Sequence, residues 1–154
     1  MEKGAKKIIS TNRKAKLSYA ISETYEAGIA LKGDEVKSLR GGKCSVDESF
    51  ARIERSGPVL YNLHIPEFSK SSYFKSDPKR PRKLLLNKKE ISRLWGLTSQ
   101  SGYTLIPLKV YFNNKGIAKI EIGVGKGRKL YDKRRKLREK YQKRDTDRAM
   151  RRYK

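Results

Sequence analysis

Fifteen of the last 29 residues, Lys126 to Lys154, are Lys or Arg, and almost nothing apolar lies between them. Such a segment cannot help to build a core, because burying unpaired charge costs far more than its few apolar side chains would return. Four acidic residues (Asp132, Glu139, Asp145, Asp147) leave it at +11, against +12 for residues 1–125 and +23 for the whole chain. It is therefore expected to repel itself and stay disordered when free, and to order when phosphates neutralise it. Leu130, Leu137, Tyr141 and Met150 are nearly its only nonpolar side chains of any size. Leu137 and Tyr141 stand four apart, so the segment is expected to become a helix on a partner.

The core must come from the rest. A chain of 154 residues supports one domain more readily than two, so the division expected is a flexible basic start over 1–12, one domain over 13–125 and the basic tail over 126–154. Nucleic acid is the first partner implied by the charge, ahead of an anionic membrane or an acidic protein. Nine tyrosines, four phenylalanines and one tryptophan are spread among the basic residues, and this dispersal favours RNA, since aromatic faces stack on bases whereas a membrane-surface helix groups them on one side. No apolar stretch approaches the roughly 20 residues that span a bilayer, and the basic start has no apolar h-region behind it. With Cys44 as the single cysteine, there is neither a disulfide framework nor a thiolate cluster for a metal. A cytoplasmic protein without cofactor or membrane contact is expected.

Apolar periodicity divides the domain into short elements. Leu17, Tyr19 and Ile21 alternate with polar neighbours, and Ile29 and Leu31 follow after a break, which predicts two strands. Gly33-Asp34 starts a short helix with Val36 and Leu39 on its buried face and Gly41-Gly42 as its stop. Strands are predicted from Phe50 and over Val59–Ile65, on either side of the Gly57-Pro58 turn. Residues 66–82 hold three prolines and many small polar residues, and read as a loop. Asn87 with Glu90 three residues on is a capping pattern, and Ile91, Leu94, Trp95 and Thr98 follow at helical spacing. Tyr103–Phe112 and Ile117–Val124 flank Asn113-Asn114-Lys115-Gly116 as a β-hairpin. The fold class is mainly β: a small antiparallel Greek-key barrel of the oligonucleotide-binding type, with two or three short helices and the disordered tail.

Enzymatic chemistry finds little support in these residues. His64, the single histidine, lies in an apolar run and reads as a packed or hydrogen-bonded residue. The body's carboxylates are scattered, and GVGKGRK (Gly123–Lys129) lacks the GK[ST] ending of a phosphate loop. The basic loop DPKRPRK differs: Pro78 and Pro81 stiffen it and keep it out of helices and central strands, so Lys79, Arg80, Arg82 and Lys83 are expected to point outward toward phosphate. Lys126, Arg128 and Lys129 form a second cationic cluster, and Lys133–Lys136 a third.

Five segments in register, NRKA (Asn12–Ala15), YEAGIALKGDEVKSLR (Tyr25–Arg40), DPKRPRKLLLN (Asp77–Asn87), GYTLIPL (Gly102–Leu108) and GKGRKLYDKR (Gly125–Arg134), resemble the small protein B family, the transfer-messenger-RNA-binding proteins of bacterial trans-translation. The resemblance runs from about Asn12 to the C-terminus. It implies an oligonucleotide-binding-type barrel without enzymatic activity that grips the tRNA-like domain of the RNA and presents it, charged with alanine, to a stalled ribosome. The RNA-facing positions it implies are Glu26, Leu85 and Asn87. It further implies that Tyr131, Asp132, Lys133 and Arg134 stand where the tail leaves the barrel near the decoding centre, and that the tail beyond, with Leu137, Arg148 and Met150, lies as a helix in the empty message channel against small-subunit rRNA. The elongation factor carrying the alanylated RNA is a further implied partner. Ala149 stands where members of the family often carry a larger aliphatic residue, which reduces the apolar anchorage of the last turn.

The rival readings are an integral ribosomal protein, which also combines a basic body with a basic tail, and an RNA-processing enzyme, which would require a metal or cofactor dependence.

Overall fold

The computed structural model describes residues 6–68, 77–100 and 102–152. Among these, seven strands and four helices follow in the order β1 (Lys7–Thr11), α1 (Ala15–Ser18), β2 (Tyr19–Ile29), α2 (Gly33–Arg40), β3 (Phe50–Glu54), β4 (Gly57–Tyr61), β5 (Arg82–Leu85), α3 (Lys88–Thr98), β6 (Tyr103–Phe112), β7 (Ala118–Gly127) and α4 (Leu130–Arg152). The strands form one antiparallel sheet in the order β1-β6-β3-β4-β5-β2-β7, and β6 also pairs with β7. That last pairing closes β6, β3, β4, β5, β2 and β7 into a ring, with β1 added along β6. The result is the expected mainly β barrel with several short helices, in which ring closure leaves few strand edges open.

Strand residues and side chains inserted from helices and a loop fill the interior. Leu60, Leu63, Leu94, Leu105, Val110, Ile120, Ile122 and Val124 are buried together with Ala27 and Leu39. In β7, Ala118, Ile120 and Ile122 point inward while Lys119 and Glu121 between them are partly exposed. α3 meets β3 and β6 and inserts Leu94, fully buried, into the core. Asn87 is its N-cap, with its N–H donating to Glu90 Oε1 at 3.3 Å. The turn between β6 and β7 has Gly116 at φ 74°, a left-handed conformation that a glycine adopts without steric cost.

Several expectations are corrected. Residues 7–11 of the basic start are a strand, held by β6 through pairs such as Ile8↔Tyr111. The two strands predicted between Leu17 and Leu31 are one eleven-residue strand, β2, preceded by the short helix α1. Residues 82–85, placed at the border of the basic loop, form β5, which joins β4 to β2. Beside these, the tail is a 23-residue helix, Leu130–Arg152. It contains no Gly or Pro after Lys129, its Lys, Arg, Glu and Leu are good helix formers, and Lys136 Nζ lies 3.9 Å from Glu139 one turn on.

Candidate nucleic-acid interface

The sequence-predicted residues separate into three groups in space. The first is an outward face of the barrel. In β2, Glu26 and Gly28 stand two apart on one side of the strand, and Gly28 pairs with Leu85 of β5. Residues opposite one another in an antiparallel pair share a face, so Glu26 and Leu85, 59 positions apart in the chain, come onto one surface. Leu85 is 61% exposed, and Lys83, two residues back on β5, is exposed on the same side. Asn87 follows directly, exposed at the start of α3.

Neighbouring strands extend this face with residues that sequence reasoning missed. Glu26 pairs with Glu121 and Gly28 with Lys119 on β7, and these in turn pair with Lys109 and Tyr111 on β6. Lys109 Nζ lies 3.1 Å from Glu121, which separates the two carboxylates electrostatically. Glu26 accepts a hydrogen bond from the Tyr111 hydroxyl and has Lys6 Nζ at 3.8 Å; the same ammonium stands 4.9 Å from the Tyr111 ring centroid. Burial and the Glu26 carboxylate together push the Tyr111 phenol far above its ordinary range, so it stays a donor. The Glu26 carboxylate is thus oriented with about half its surface still open, and free lone pairs can accept from a sugar hydroxyl or a base amino group. The signal for Lys119 and Glu121 was present in the alternation Ala118-Lys119-Ile120-Glu121-Ile122.

The basic loop divides against expectation. Arg82 points inward: its Nε donates to Glu35 Oε2 at 2.6 Å, Nη1 to the Leu63 carbonyl at 2.6 Å and Nη2 to the Pro78 carbonyl at 3.1 Å, and its side chain is fully buried. Arg80 is half-buried and pairs with the other oxygen of Glu35. Neither is a free phosphate contact. The reason is strand alternation: on β5 Arg82 and Leu84 point in and Lys83 and Leu85 point out, and Glu35 on α2 supplies the charge that makes an inward arginine tolerable. Burial pushes the Glu35 carboxyl up, but the Lys32 N–H and the two guanidinium groups outweigh it and hold the group below its ordinary 4.5. Lys79 is exposed, 3.9 Å from Glu48.

The third group surrounds the root of the tail. Lys126 lies 4.7 Å from the Tyr103 ring centroid. Arg128 is tied down by its N–H to Ser18 O at 2.8 Å and its Nε to Lys16 O at 3.3 Å, while Lys129 is exposed. Lys133 borders a cavity with Asn12, Lys14 and Asp47, and Lys14 and Asp47 also border a second cavity with Lys79 and His64. The Lys79 loop and the tail root therefore converge on one side. Arg134, Leu137, Arg148 and Met150 are carried by α4, with Arg134 and Arg148 exposed and Leu137 and Met150 among the exposed large hydrophobic residues. The side chains of Tyr131 and Asp132 lie outside the described residues.

His64 is held by reciprocal backbone bonds with Ser45, and burial pushes the Cys44 thiol up to about 12, far from a thiolate nucleophile. No helix among the described residues is long and apolar enough to cross a membrane.

A family model described as SmpB protein matches residues 9–152. The SsrA-binding protein of Oceanobacillus iheyensis is 54% identical over 151 residues, covering 97% of each chain. That of Bacillus subtilis is 48% identical over 98% of this chain and 96% of its own, and that of Methylorubrum populi 49% over 95% and 93%. Among solved structures, a chain from "tmRNA-SmpB: a journey to the center of the bacterial ribosome" superposes with a TM-score of 0.65 at 54% identity, over 78% of this chain and 84% of that one. By family model, identity and coverage alike, the chain belongs to the SmpB family.

Proposed function

We propose that the protein binds the tRNA-like domain of transfer-messenger RNA and delivers it to stalled ribosomes, as a binding protein and not an enzyme. Glu26, Lys83, Leu85 and Asn87 form the contact surface for the RNA, and α4 with Tyr131, Asp132, Lys133 and Arg134 at its root probes the decoding centre and the empty message channel. One observation carries the reading: the β2–β5 pairing brings Glu26 and Leu85 onto one open face, with Asn87 beside Leu85 on a shared cavity, in a chain whose relatives are SsrA-binding proteins. The face combines an oriented carboxylate, an exposed leucine and flanking lysines, which suits the backbone and sugar edge of a structured RNA more than a protein interface.

Co-purification tests it. One structured RNA with a tRNA-like end should come down with the protein, and its affinity should fall with salt at a slope of log K on log salt of about −3 to −5, as about 4–6 phosphate contacts require. A slope near zero would remove the basic body as the RNA grip. Stable stoichiometric presence on every translating ribosome would favour an integral ribosomal protein instead.

A further inference from the structure

Trp95 is the only tryptophan of the chain, and it is 53% exposed on α3. An indole is costly to leave in water without a reason. Part of the reason is helical geometry: Leu94 takes the core-facing position, and the next residue is turned about 100° away. What Trp95 borders is nevertheless an open, shallow groove. It borders a cavity of about 340 Å³ with Ile91 and Ser92 of α3 and with Ile53, Arg55 and Gly57 around the β3–β4 turn. Gly57 and Ile91 also border a neighbouring cavity with Lys83, Leu85 and Asn87. At φ 115°, with no atom within 4 Å of where a side chain would begin, Gly57 leaves the passage between the two open. The groove is therefore continuous with the face assigned to RNA above.

Its chemistry is that of a base pocket. Ile53 and Ile91 supply apolar side chains beside the indole, a smaller apolar surface than a peptide helix would need. Arg55 and Lys88 stand at the rim and complement phosphates on either side of that ring. The rim carboxylate, Glu54, is occupied by the Tyr61 hydroxyl. No other aromatic ring among the described residues stacks on the indole, so one face of it is available. We propose that this groove receives a single unpaired base of the bound RNA, stacked on Trp95, with Arg55 and Lys88 against its flanking phosphates. The proposal rests on the RNA-binding reading and extends the interface along α3, two turns beyond Asn87. Base stacking on an aromatic side chain tolerates any base identity, so the groove adds affinity and position rather than sequence preference.

Because Trp95 is the sole tryptophan, its emission reports on the groove directly. Titrating the intact protein with the isolated tRNA-like RNA should quench that emission at the same midpoint at which a mobility shift records binding. A fully paired duplex of equal length should leave the emission unchanged. Trp95→Ala should weaken RNA binding about tenfold without shifting the melting temperature appreciably, and Trp95→Phe should restore most of the loss. Unchanged emission alongside a full mobility shift, or Trp95→Ala binding as tightly as the parent, would overturn the groove proposal while leaving the RNA reading intact. Absence of any mobility shift would remove both. Should Trp95→Ala fold poorly, the titration of the parent chain still decides.

Discussion

Gly28 and Leu85 oppose one another across the β2–β5 pair so closely that a Cβ on Gly28 would lie 3.2 Å from the Leu85 Cβ. The absence of a side chain at 28 lets Leu85 lie over the strand while remaining 61% exposed. Gly28→Val should push Leu85 off this seat, lowering affinity for the tRNA-like RNA about tenfold at a stability cost of about 1–3 kcal/mol. Mobility-shift titration alongside thermal unfolding measures both, and unaltered affinity would show that the seat of Leu85 does not matter to binding.

Glu26→Ala and Asn87→Ala should each weaken RNA binding by about 1–3 kcal/mol through lost positioned contacts. Their effects on folding differ. Asn87→Ala removes the cap of α3 and should cost about 1 kcal/mol of stability, whereas Glu26 is half-open and surrounded by Lys6 and Tyr111. If affinity fell only in proportion to the unfolded fraction, both residues would be structural.

The buried Arg82–Glu35 pair should dominate the acid response. Glu35→Ala leaves a fully buried guanidinium without its carboxylate and should cost about 3–5 kcal/mol in chemical denaturation. A carboxyl held below its ordinary 4.5 contributes stability that is complete above that pH and is lost as pH falls through the lower folded value. Glu23, held near 2 by hydrogen bonds from Arg93 and then Tyr25, acts in the same direction. The parent's stability should therefore decline below about pH 4.5, and Glu35→Gln, less stable at pH 7, should show a shallower acid limb. Equal limbs would mean that the pair is not what titrates.

Truncation after Leu130 should separate binding from ribosomal action. The described side chains of α4 beyond Lys133 are exposed, so removing them takes little apolar surface from the fold and melting should stay nearly unchanged. RNA affinity should fall by less than about 2–3 kcal/mol, since only long-range attraction is lost, while tagging of stalled peptides should disappear. Normal tagging by the shortened chain would assign ribosomal action to the barrel.

Local chemistry made much of this protein legible. The capping pattern at Asn87 and Glu90, the Asn113–Gly116 turn, the apolar run of β6 and the alternation at the start of β7 each specify an element within ten residues or so, and the charge of the tail follows from composition alone. Tertiary structure decided the rest, because it depends on which strand lies beside which. Arg82 looked like its neighbours Arg80 and Lys83, and only the inward side of β5 with Glu35 waiting on α2 made it a buried residue. Residues 7–11 have too few apolar positions to declare a strand; an open edge of β6 made them one. Glu26 and Leu85 carry no mark of proximity, and their shared face exists because Gly28 pairs with Leu85. The sequence by itself determined most of the elements, the β6–β7 hairpin among them, and the sign of the partner; the β2–β5 and β2–β7 pairings, long-range and without a local signature, decided which side chains share a face.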